Sequence, residues 1–234
     1  MSSPASTDPV TETEEPATDQ YVVCLTLIGV PVLVVGGGDV ATRKVRGLVG
    51  AGADVTVVSP HVTAELEALS SSARITWLRR AFESGDAARG RLIFAATSER
   101  AANAHVAADA VHVGAWVNVA DDPAACSFHV PATLRRGRLT LAVSTQGASP
   151  LLAATIRGEL ERSYGDEYGM LVELLRRARD EADNKLATGA ARRRFYAAIL
   201  DSDVLDLLRE GDARGASARM REMWAAVKER EADA

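Results

Sequence analysis

A glycine loop between two apolar segments constrains this chain more than any other feature. The stretch 32–60 reads VLVVGGGDVATRKVRGLVGAGADVTVVSP, which is the pattern of a strand, a loop, an amphipathic helix and a second strand. Gly36 to Ala41 matches G-x-G-x-x-G/A, in which small residues permit a tight turn and a close approach to a pyrophosphate. The helix start offers free N–H groups and a partial positive charge. The loop therefore predicts a dinucleotide site, and the alternative is a purely structural glycine turn.

The identity of the dinucleotide depends on the end of the second strand. Ser59 can bind a ribose hydroxyl, but the carboxylate that usually favours NAD is missing. Arg43 and Lys44 are cations that a 2′-phosphate would attract, although their helical positions favour contact with solvent or substrate instead. The residues alone therefore favour NAD only slightly over NADP. The predicted cofactor contacts are Gly36, Gly38, Asp39, Val40, Ser59, Pro60, Thr97 and Asn118.

The arrangement of elements predicts an α/β fold with a Rossmann-like parallel sheet. Strand-like and helix-like runs alternate as far as residue 120, which is typical of a doubly wound sheet. The predicted strands are 21–27, 32–35, 54–58, 75–79, 91–97 and 115–120. The first predicted helix follows Gly38 and has Val40 on its apolar side. The second and third cover 61–71 and 98–112, and Ser98 is the predicted cap of the third.

The pattern changes after Asp121. The runs 126–134 and 138–145 predict an antiparallel hairpin that turns at Arg136-Gly137, because no room is left for a crossover helix. Ser149-Pro150 has the residues of a helix start, and the chain reads as helix from there to residue 232. The predicted domains are a disordered acidic tail 1–19, a dinucleotide domain 20–122, a small β unit 123–148 and a helical region 149–234.

Charge and composition exclude several functional classes. The net charge is -5, and residues 1–20 account for all of it because they hold five acidic residues and no Lys or Arg. The neutral remainder argues against nucleic-acid binding. No signal peptide and no apolar run of membrane-spanning length is present, so we expect a cytoplasmic protein without membrane contact. Cys24 and Cys126 are predicted to be buried thiols in a reducing compartment. The four histidines show no ligand spacing, so no metal site is expected.

Two further segments carry polar side chains at places where ligands bind. Asp121 follows a predicted strand and is a candidate acid or base, although a turn-capping carboxylate explains it as well and Asp122 competes for the role. The segment 144–150, STQGASP, combines hydroxyls with a helix start, which suits either an anion site or an ordinary capped loop. Its candidate binding residues are Ser144, Thr145, Gly147 and Ser149. An arginine cluster is either a solvated face or a contact for a polyanion; it comprises Arg74, Arg79, Arg80, Arg89 and Arg91.

These segments together resemble a known family, the precorrin-2 dehydrogenases of sirohaem synthesis, some of which are also sirohydrochlorin ferrochelatases. The matching motifs are VVGGGDVATRK, FAATSE, NVADDPAACSFHVPA and AVSTQGASPLLAATIRGELE, and they cover roughly residues 20–210. The chain is similar to the stand-alone dehydrogenase and to the first half of the fused sirohaem synthase. This resemblance is much more specific than the glycine loop alone.

The resemblance implies NAD-dependent oxidation of precorrin-2 to sirohydrochlorin, with Asp121 as the functional aspartate that takes a proton. It also implies a homodimer in which the small β unit and the helical region mediate association. A tetrapyrrole rich in carboxylates gives the arginine cluster and the segment 144–150 a purpose. Two other hypotheses stay open: a bifunctional enzyme that also takes ferrous iron as a substrate, and a non-catalytic NAD-sensing module.

Overall fold

The computed structural model describes residues 20–185 and 189–232, which form two compact units. One unit extends as far as His129 and the other begins at Val130. The acidic tail predicted for residues 1–19 lies outside the described residues.

A five-stranded parallel sheet is the centre of the first unit. Its strands lie in the order β3-β2-β1-β4-β5, and every neighbouring pair is parallel. The inner strands are short runs of branched apolar residues, which are buried because helices cover both faces of the sheet. The Rossmann-like fold predicted from the sequence is therefore confirmed. The strands are β1 (Pro31–Val35), β2 (Asp54–Val58), β3 (Thr76–Leu78), β4 (Leu92–Ala95) and β5 (Trp116–Val119).

Three helices and one short 3₁₀ turn connect these strands, and a second 3₁₀ turn follows β5. The first helix, α1, follows the glycine loop and buries Ala41, Val45 and Leu48 against the sheet at the helical spacing seen in the sequence. Val40 was predicted to lie on this apolar side, but it is exposed beside the loop. The helices are α1 (Asp39–Gly50), α2 (Ala64–Ser71) and α3 (Arg100–His112), and the 3₁₀ turns are Asp86–Arg89 and Pro123–Ala125.

Three further sequence predictions about the first unit are wrong. The run 21–27 was predicted to be a strand, but no strand of the described chain pairs with it. Cys24 lies in this run and is exposed rather than buried. Ser98 does not cap α3, because that helix begins one residue later, after Glu99.

The second unit combines a β-hairpin with helices. β6 (Ala132–Arg136) and β7 (Leu139–Val143) pair in an antiparallel manner, and Gly137 occupies the left-handed turn with φ +54°. Ser149 caps the next helix as predicted: its hydroxyl accepts a bond from the Leu152 N–H at 3.2 Å. The helices are α4 (Pro150–Ser163), α5 (Asp166–Lys185), α6 (Gly189–Leu200), α7 (Val204–Arg209) and α8 (Ala213–Ala232).

Side chains from α5 to α8 form the core of this second unit. Phe195 and Ile199 of α6 are almost fully buried, with Val204 of α7 and Ala216 of α8 packed in the same cluster. Within the described ranges, no helix is long and apolar enough to span a membrane.

Candidate functional site

Loops with polar residues follow four of the parallel strands at one edge of the sheet. The glycine loop follows β1, Ser59 follows β2, Thr97 follows β4 and Asp121 follows β5. Because all five strands are parallel, these loops share the carboxyl edge, where open α/β sheets bind their ligands. The strand order also reverses between β1 and β4, which makes the glycine loop the switch point of the sheet.

The three glycines of the loop have different steric surroundings. Gly36 has φ +119°, and a Cβ there would lie less than 3.0 Å from the Ala96 carbonyl. A Cβ on Gly37 would meet the His61 carbonyl just as closely. Nothing lies within 4 Å of the Cβ position of Gly38. Gly36 and Gly37 therefore allow the loops to pack, and Gly38 leaves open space in front of the helix.

The start of α1 fits the pyrophosphate of a dinucleotide. Gly38 is the N-cap and provides no side chain for the N–H groups of the first turn, which stay available to an anion. The loop is held from behind, since the Thr63 N–H donates to the Gly37 carbonyl at 3.0 Å and the Thr42 hydroxyl donates to the Gly38 carbonyl at 3.0 Å. Neither threonine was identified from the sequence.

The end of β2 is more enclosed than the sequence indicated. Ser59 is buried, and its hydroxyl donates to the His61 carbonyl at 2.7 Å. Its own carbonyl accepts a bond from the Trp77 indole at 2.9 Å. Ser59 thus stabilises the turn beside Gly37, while Pro60 is exposed at the same edge.

Asp121 lies in a small cavity at the end of β5. The cavity has a volume of about 220 Å³, and its lining includes Thr97, Arg100, Asn103 and both aspartates 121 and 122. The Asp121 side chain is exposed, and its backbone is left-handed with φ +59°. Such a conformation costs of order 1–3 kcal/mol outside glycine and is often found at functional sites. The structure therefore brings Asp121 and Thr97 to the same cavity.

Asn103 of α3 holds the Thr97 loop in place. Its amide oxygen accepts bonds from the Thr97 N–H at 3.1 Å and from the Thr97 hydroxyl at 2.8 Å, and its amide nitrogen donates to the Thr97 carbonyl at 3.1 Å. Asn103 is buried. A polar residue at an inward position of the alanine-rich helix 98–112 was the sequence signal for this role, and it was missed.

Asn118 is engaged with protein groups on the α1 side of the sheet. Its amide oxygen accepts a bond from the Lys44 ammonium at 2.7 Å, and its amide nitrogen donates to the Phe128 carbonyl at 3.1 Å. Lys44 is half-buried and lies 4.9 Å from the centre of the Phe94 ring. Burial, and then the neighbouring Arg43, lower the pKa of Lys44 below its usual 10.5. The helical position of Lys44 suggested contact with solvent or substrate, but the residue is half-buried and its ammonium group is bonded to Asn118. Contact of Asn118 with the cofactor stays a prediction.

The segment 144–150 of the second unit forms a tight turn with bonds inside itself. The Thr145 hydroxyl accepts from the Ser149 N–H and donates to the Ser149 carbonyl, both at 3.1 Å. The Ser144 hydroxyl accepts from the Gln146 N–H at 3.2 Å, and Gly147 has φ +85°. These bonds are those of a capped loop, and a binding role for its residues stays a prediction.

The predicted arginine cluster is largely neutralised by acidic neighbours. Arg80 and Arg89 both contact the buried Asp86, at 2.7 Å and 3.2 Å. Arg79 stacks on Trp77, 4.2 Å from its ring centre, and pairs with Glu67 at 3.4 Å. Much of this cluster therefore stabilises the first unit instead of offering free cations. Across residues 20–185 and 189–232, no group of three or more His, Cys, Asp or Glu side chains is arranged to hold a metal ion.

Family comparisons divide the chain in the same order as the fold. Residues 23–132 match a family model described as "Putative NAD(P)-binding". Residues 136–163 match "Sirohaem biosynthesis protein central", and residues 167–223 match "Sirohaem synthase dimerisation region".

The curated relatives are longer proteins. A "Siroheme synthase" of Methylococcus capsulatus is 38% identical over 198 residues, which are 85% of this chain and 42% of that protein. A "Siroheme synthase" of Neisseria meningitidis is 40% identical over 176 residues, which are 75% of this chain and 36% of that protein. The chain thus spans about two fifths of the length of these relatives.

A solved structure matches nearly the whole chain. The protein described as "SirC, precorrin-2 dehydrogenase" aligns with a TM-score of 0.75 and 30% identity, and the alignment covers 90% of this chain and 100% of that one. The full length of that protein is therefore matched by this chain. On this evidence, the chain belongs to the precorrin-2 dehydrogenase family.

Proposed function

We propose that this protein oxidises precorrin-2 to sirohydrochlorin with NAD as the acceptor. One observation carries the proposal: an exposed aspartate and an open glycine loop lie at the same edge of a parallel sheet, in a chain of which 90% aligns with a precorrin-2 dehydrogenase. The first feature offers proton chemistry, and the second offers a dinucleotide site.

The cofactor would bind at the glycine loop and the start of α1. The open space at Gly38 and the N–H groups of Asp39 and Val40 suit a pyrophosphate, while Gly36 keeps the loop close to β4. Ser59 and Pro60 would face the ribose through the backbone of their turn, because the Ser59 hydroxyl is engaged with His61. Thr97 and Asn118 complete the proposed set. When bound, NAD supplies the hydride acceptor.

Asp121 would act as the proton acceptor. The oxidation removes two hydrogens from the macrocycle, one with its electron pair and one as a proton, and a carboxylate beside the reacting carbon can take the proton. The cavity of about 220 Å³ is smaller than a typical ligand pocket of several hundred Å³, so only the edge of the large substrate would enter it. Asp121 would thus meet one C–H bond while the rest of the ring stays outside.

Three finer parts of the proposal rest on the family resemblance. Ser144, Thr145, Gly147 and Ser149 would contact substrate carboxylates from the turn before α4. The chain would form a homodimer, which the match of residues 167–223 to a dimerisation region supports. Insertion of ferrous iron as a second activity is kept as an alternative, because the curated relatives are named siroheme synthases.

The test is an anaerobic assay of Asp121→Asn and Asp122→Asn with NAD and precorrin-2. Without its carboxylate, the Asp121 variant should lose about 100-fold or more in kcat, the usual contribution of a positioned acid or base. NAD affinity should not change. Asp122→Asn is the matched control and should turn over almost as fast as the wild type.

Formation of sirohydrochlorin and NADH would be followed by absorbance, with NADP in a parallel reaction. A wild-type protein that binds NAD but makes no NADH would point to the sensing module instead. Full turnover by Asp121→Asn would remove Asp121 from its assigned role.

A further inference from the structure

The backbone around Asp121 is unusual and needs an external support. Asp121 is one of three non-glycine residues with positive φ among the described residues. The residue before it, Ala120, is tied to β4 because its N–H donates to the Ala95 carbonyl at 2.8 Å. A left-handed residue persists only where surrounding groups enforce it, so the structure should show what holds this turn.

The thiol of Cys126 contacts the backbone on both sides of Asp121. On the strand side, the Val119 N–H donates to Sγ at 3.1 Å. On the far side, the thiol lies 3.3 Å from the Asp122 carbonyl oxygen and 3.4 Å from the Val119 carbonyl oxygen. Its single hydrogen can be donated to either of them. Sγ therefore bridges the two peptide segments between which Asp121 is turned.

The segment that carries Cys126 is itself fixed to the edge of the sheet. The Ser127 N–H donates to the Val117 carbonyl at 2.8 Å, and the Ser127 hydroxyl accepts from the Val117 N–H at 2.7 Å. A 3₁₀ turn leads the chain back from Asp122. In this turn the Cys126 N–H donates to the Pro123 carbonyl at 3.2 Å. The position of Sγ is thus determined by β5 and not by the Asp121 loop alone.

A second connection runs from this thiol to the helix that follows the glycine loop. The Asn118 amide nitrogen lies 3.6 Å from Sγ, and its amide oxygen is held by Lys44 of α1. The cofactor helix, the end of β5 and the Cys126 thiol therefore form one hydrogen-bonded chain that ends at the Asp121 turn.

We propose that Cys126 is a positioning residue for Asp121: its thiol holds the turn that places the carboxylate at the reacting edge of the substrate. This inference rests on the proposed function, since it requires Asp121 to act on the substrate. It gives the cysteine a role in turnover that needs neither thiolate chemistry nor a metal.

The experiment replaces the thiol and compares turnover with cofactor binding in the full-length protein. Cys126→Ala and Cys126→Val both remove the hydrogen bonds, and valine keeps more of the volume if the alanine variant folds poorly. Each should lower kcat by about 10- to 100-fold, the range expected when a reacting group is displaced by an ångström or less. NAD affinity, measured by titration of the folded variant, should stay the same.

Cys126→Ser and Cys24→Ala are the controls. A serine hydroxyl can both accept from Val119 and donate to a carbonyl, so Cys126→Ser should recover most of the lost kcat. Cys24 is the other cysteine and is exposed, so Cys24→Ala should behave as the wild type. With precorrin-2 deuterated at the C–H bond that Asp121 meets, the substrate isotope effect on kcat should rise in Cys126→Ala, because proton transfer to a displaced carboxylate becomes slower.

Two results would overturn the inference in different ways. If Cys126→Ala and Cys126→Val are folded and keep wild-type kcat while Asp121→Asn is inactive, the thiol does not position the aspartate. If Asp121→Asn is itself fully active, the proposed role of Asp121 fails first and the inference fails with it. Recovery of kcat in Cys126→Ser, together with unchanged NAD affinity in the Cys126 variants, would support the inference.

Discussion

Asp86 shows how much a single side chain depends on its tertiary surroundings. Its carboxylate is 5% exposed and accepts bonds from Arg80 at 2.7 and 2.8 Å, from Arg89 at 3.2 Å and from the Glu83 N–H at 3.0 Å. The hydrogen bonds from Arg80 are the main reason why its pKa falls from 3.8 to about 2. The sequence suggested a solvated or substrate-binding arginine face here, because the burial of Asp86 is not visible in a local pattern.

This lowered pKa predicts how stability depends on pH. The folded state holds the Asp86 proton less tightly than the unfolded state, so the contribution is complete above pH 3.8 and is lost as the pH falls towards 2. The shift corresponds to about 2 kcal/mol of unfolding free energy. Urea unfolding of the wild type and Asp86→Asn should differ by at least this amount at pH 7, and by much less near pH 2.

The control for this measurement is Glu67→Gln. Glu67 pairs with Arg79 at 3.4 Å, but both side chains are more than half exposed. Exposed pairs contribute little, so this variant should stay within about 1 kcal/mol of the wild type. A difference between wild type and Asp86→Asn that stays constant from pH 7 to pH 2 would contradict the assigned pKa.

At the scale of elements, the turn from β1 to α1 combines two requirements. Gly36 and Gly37 must lack side chains so that neighbouring loops can pack, whereas Gly38 lacks one in front of open space. The motif G-x-G-x-x-G/A identified Gly36 and Gly38 but left Gly37 as an arbitrary position. Its close neighbour, the His61 carbonyl, is 24 residues away in the chain, so no local pattern could reveal it.

Replacing Gly37 and Gly38 singly by alanine should separate an effect on folding stability from an effect on NAD affinity. Gly37→Ala forces a Cβ against the His61 carbonyl and should cost about 1–3 kcal/mol of stability, the usual cost of overpacking. Gly38→Ala meets no neighbour and should unfold as the wild type does, yet its methyl group occupies the space proposed for the pyrophosphate. Its NAD affinity should fall about tenfold or more, the equivalent of about 1.4 kcal/mol.

Thermal unfolding and NAD titration of both variants check this prediction. Tight NAD binding by Gly38→Ala would place the pyrophosphate elsewhere. An unchanged melting temperature for Gly37→Ala would show that the turn beside His61 can yield without cost.

At the scale of the whole molecule, the second unit leaves apolar side chains uncovered. Leu151 and Leu152 at the start of α4 are exposed, as are Met170 of α5 and Leu200 of α6. Exposed apolar side chains of this kind suit a surface that a second copy covers, and this agrees with the match to a dimerisation region.

Sedimentation equilibrium should therefore give a mass of twice the 24.8 kDa of one chain. Because association stabilises the folded state, the melting temperature should also rise with protein concentration. The control is a monomeric protein of similar size, whose melting temperature does not depend on concentration. A single-chain mass throughout the accessible concentration range would rule out the dimer.

The sequence by itself determined the alternation of strands and helices, the glycine loop, the strand end that carries Asp121 and the helix start at Ser149. Each of these depends on periodicity or on neighbouring residues, which a single chain displays directly. The sequence did not determine which strand-like runs join the sheet: the run 21–27 stays unpaired among the described residues.

Only the tertiary structure decided which distant groups meet. Lys44 reaches Asn118 across 74 positions, Gly37 packs on the His61 carbonyl, and the Cys126 thiol bridges the turn around Asp121. The physical reason is that hydrogen bonds and steric contacts depend on distance in space, whereas hydrophobic periodicity records only which face of an element is buried. The sequence thus located the edge of the sheet that we propose for catalysis, and the packing of the sheet decided how its residues are held there.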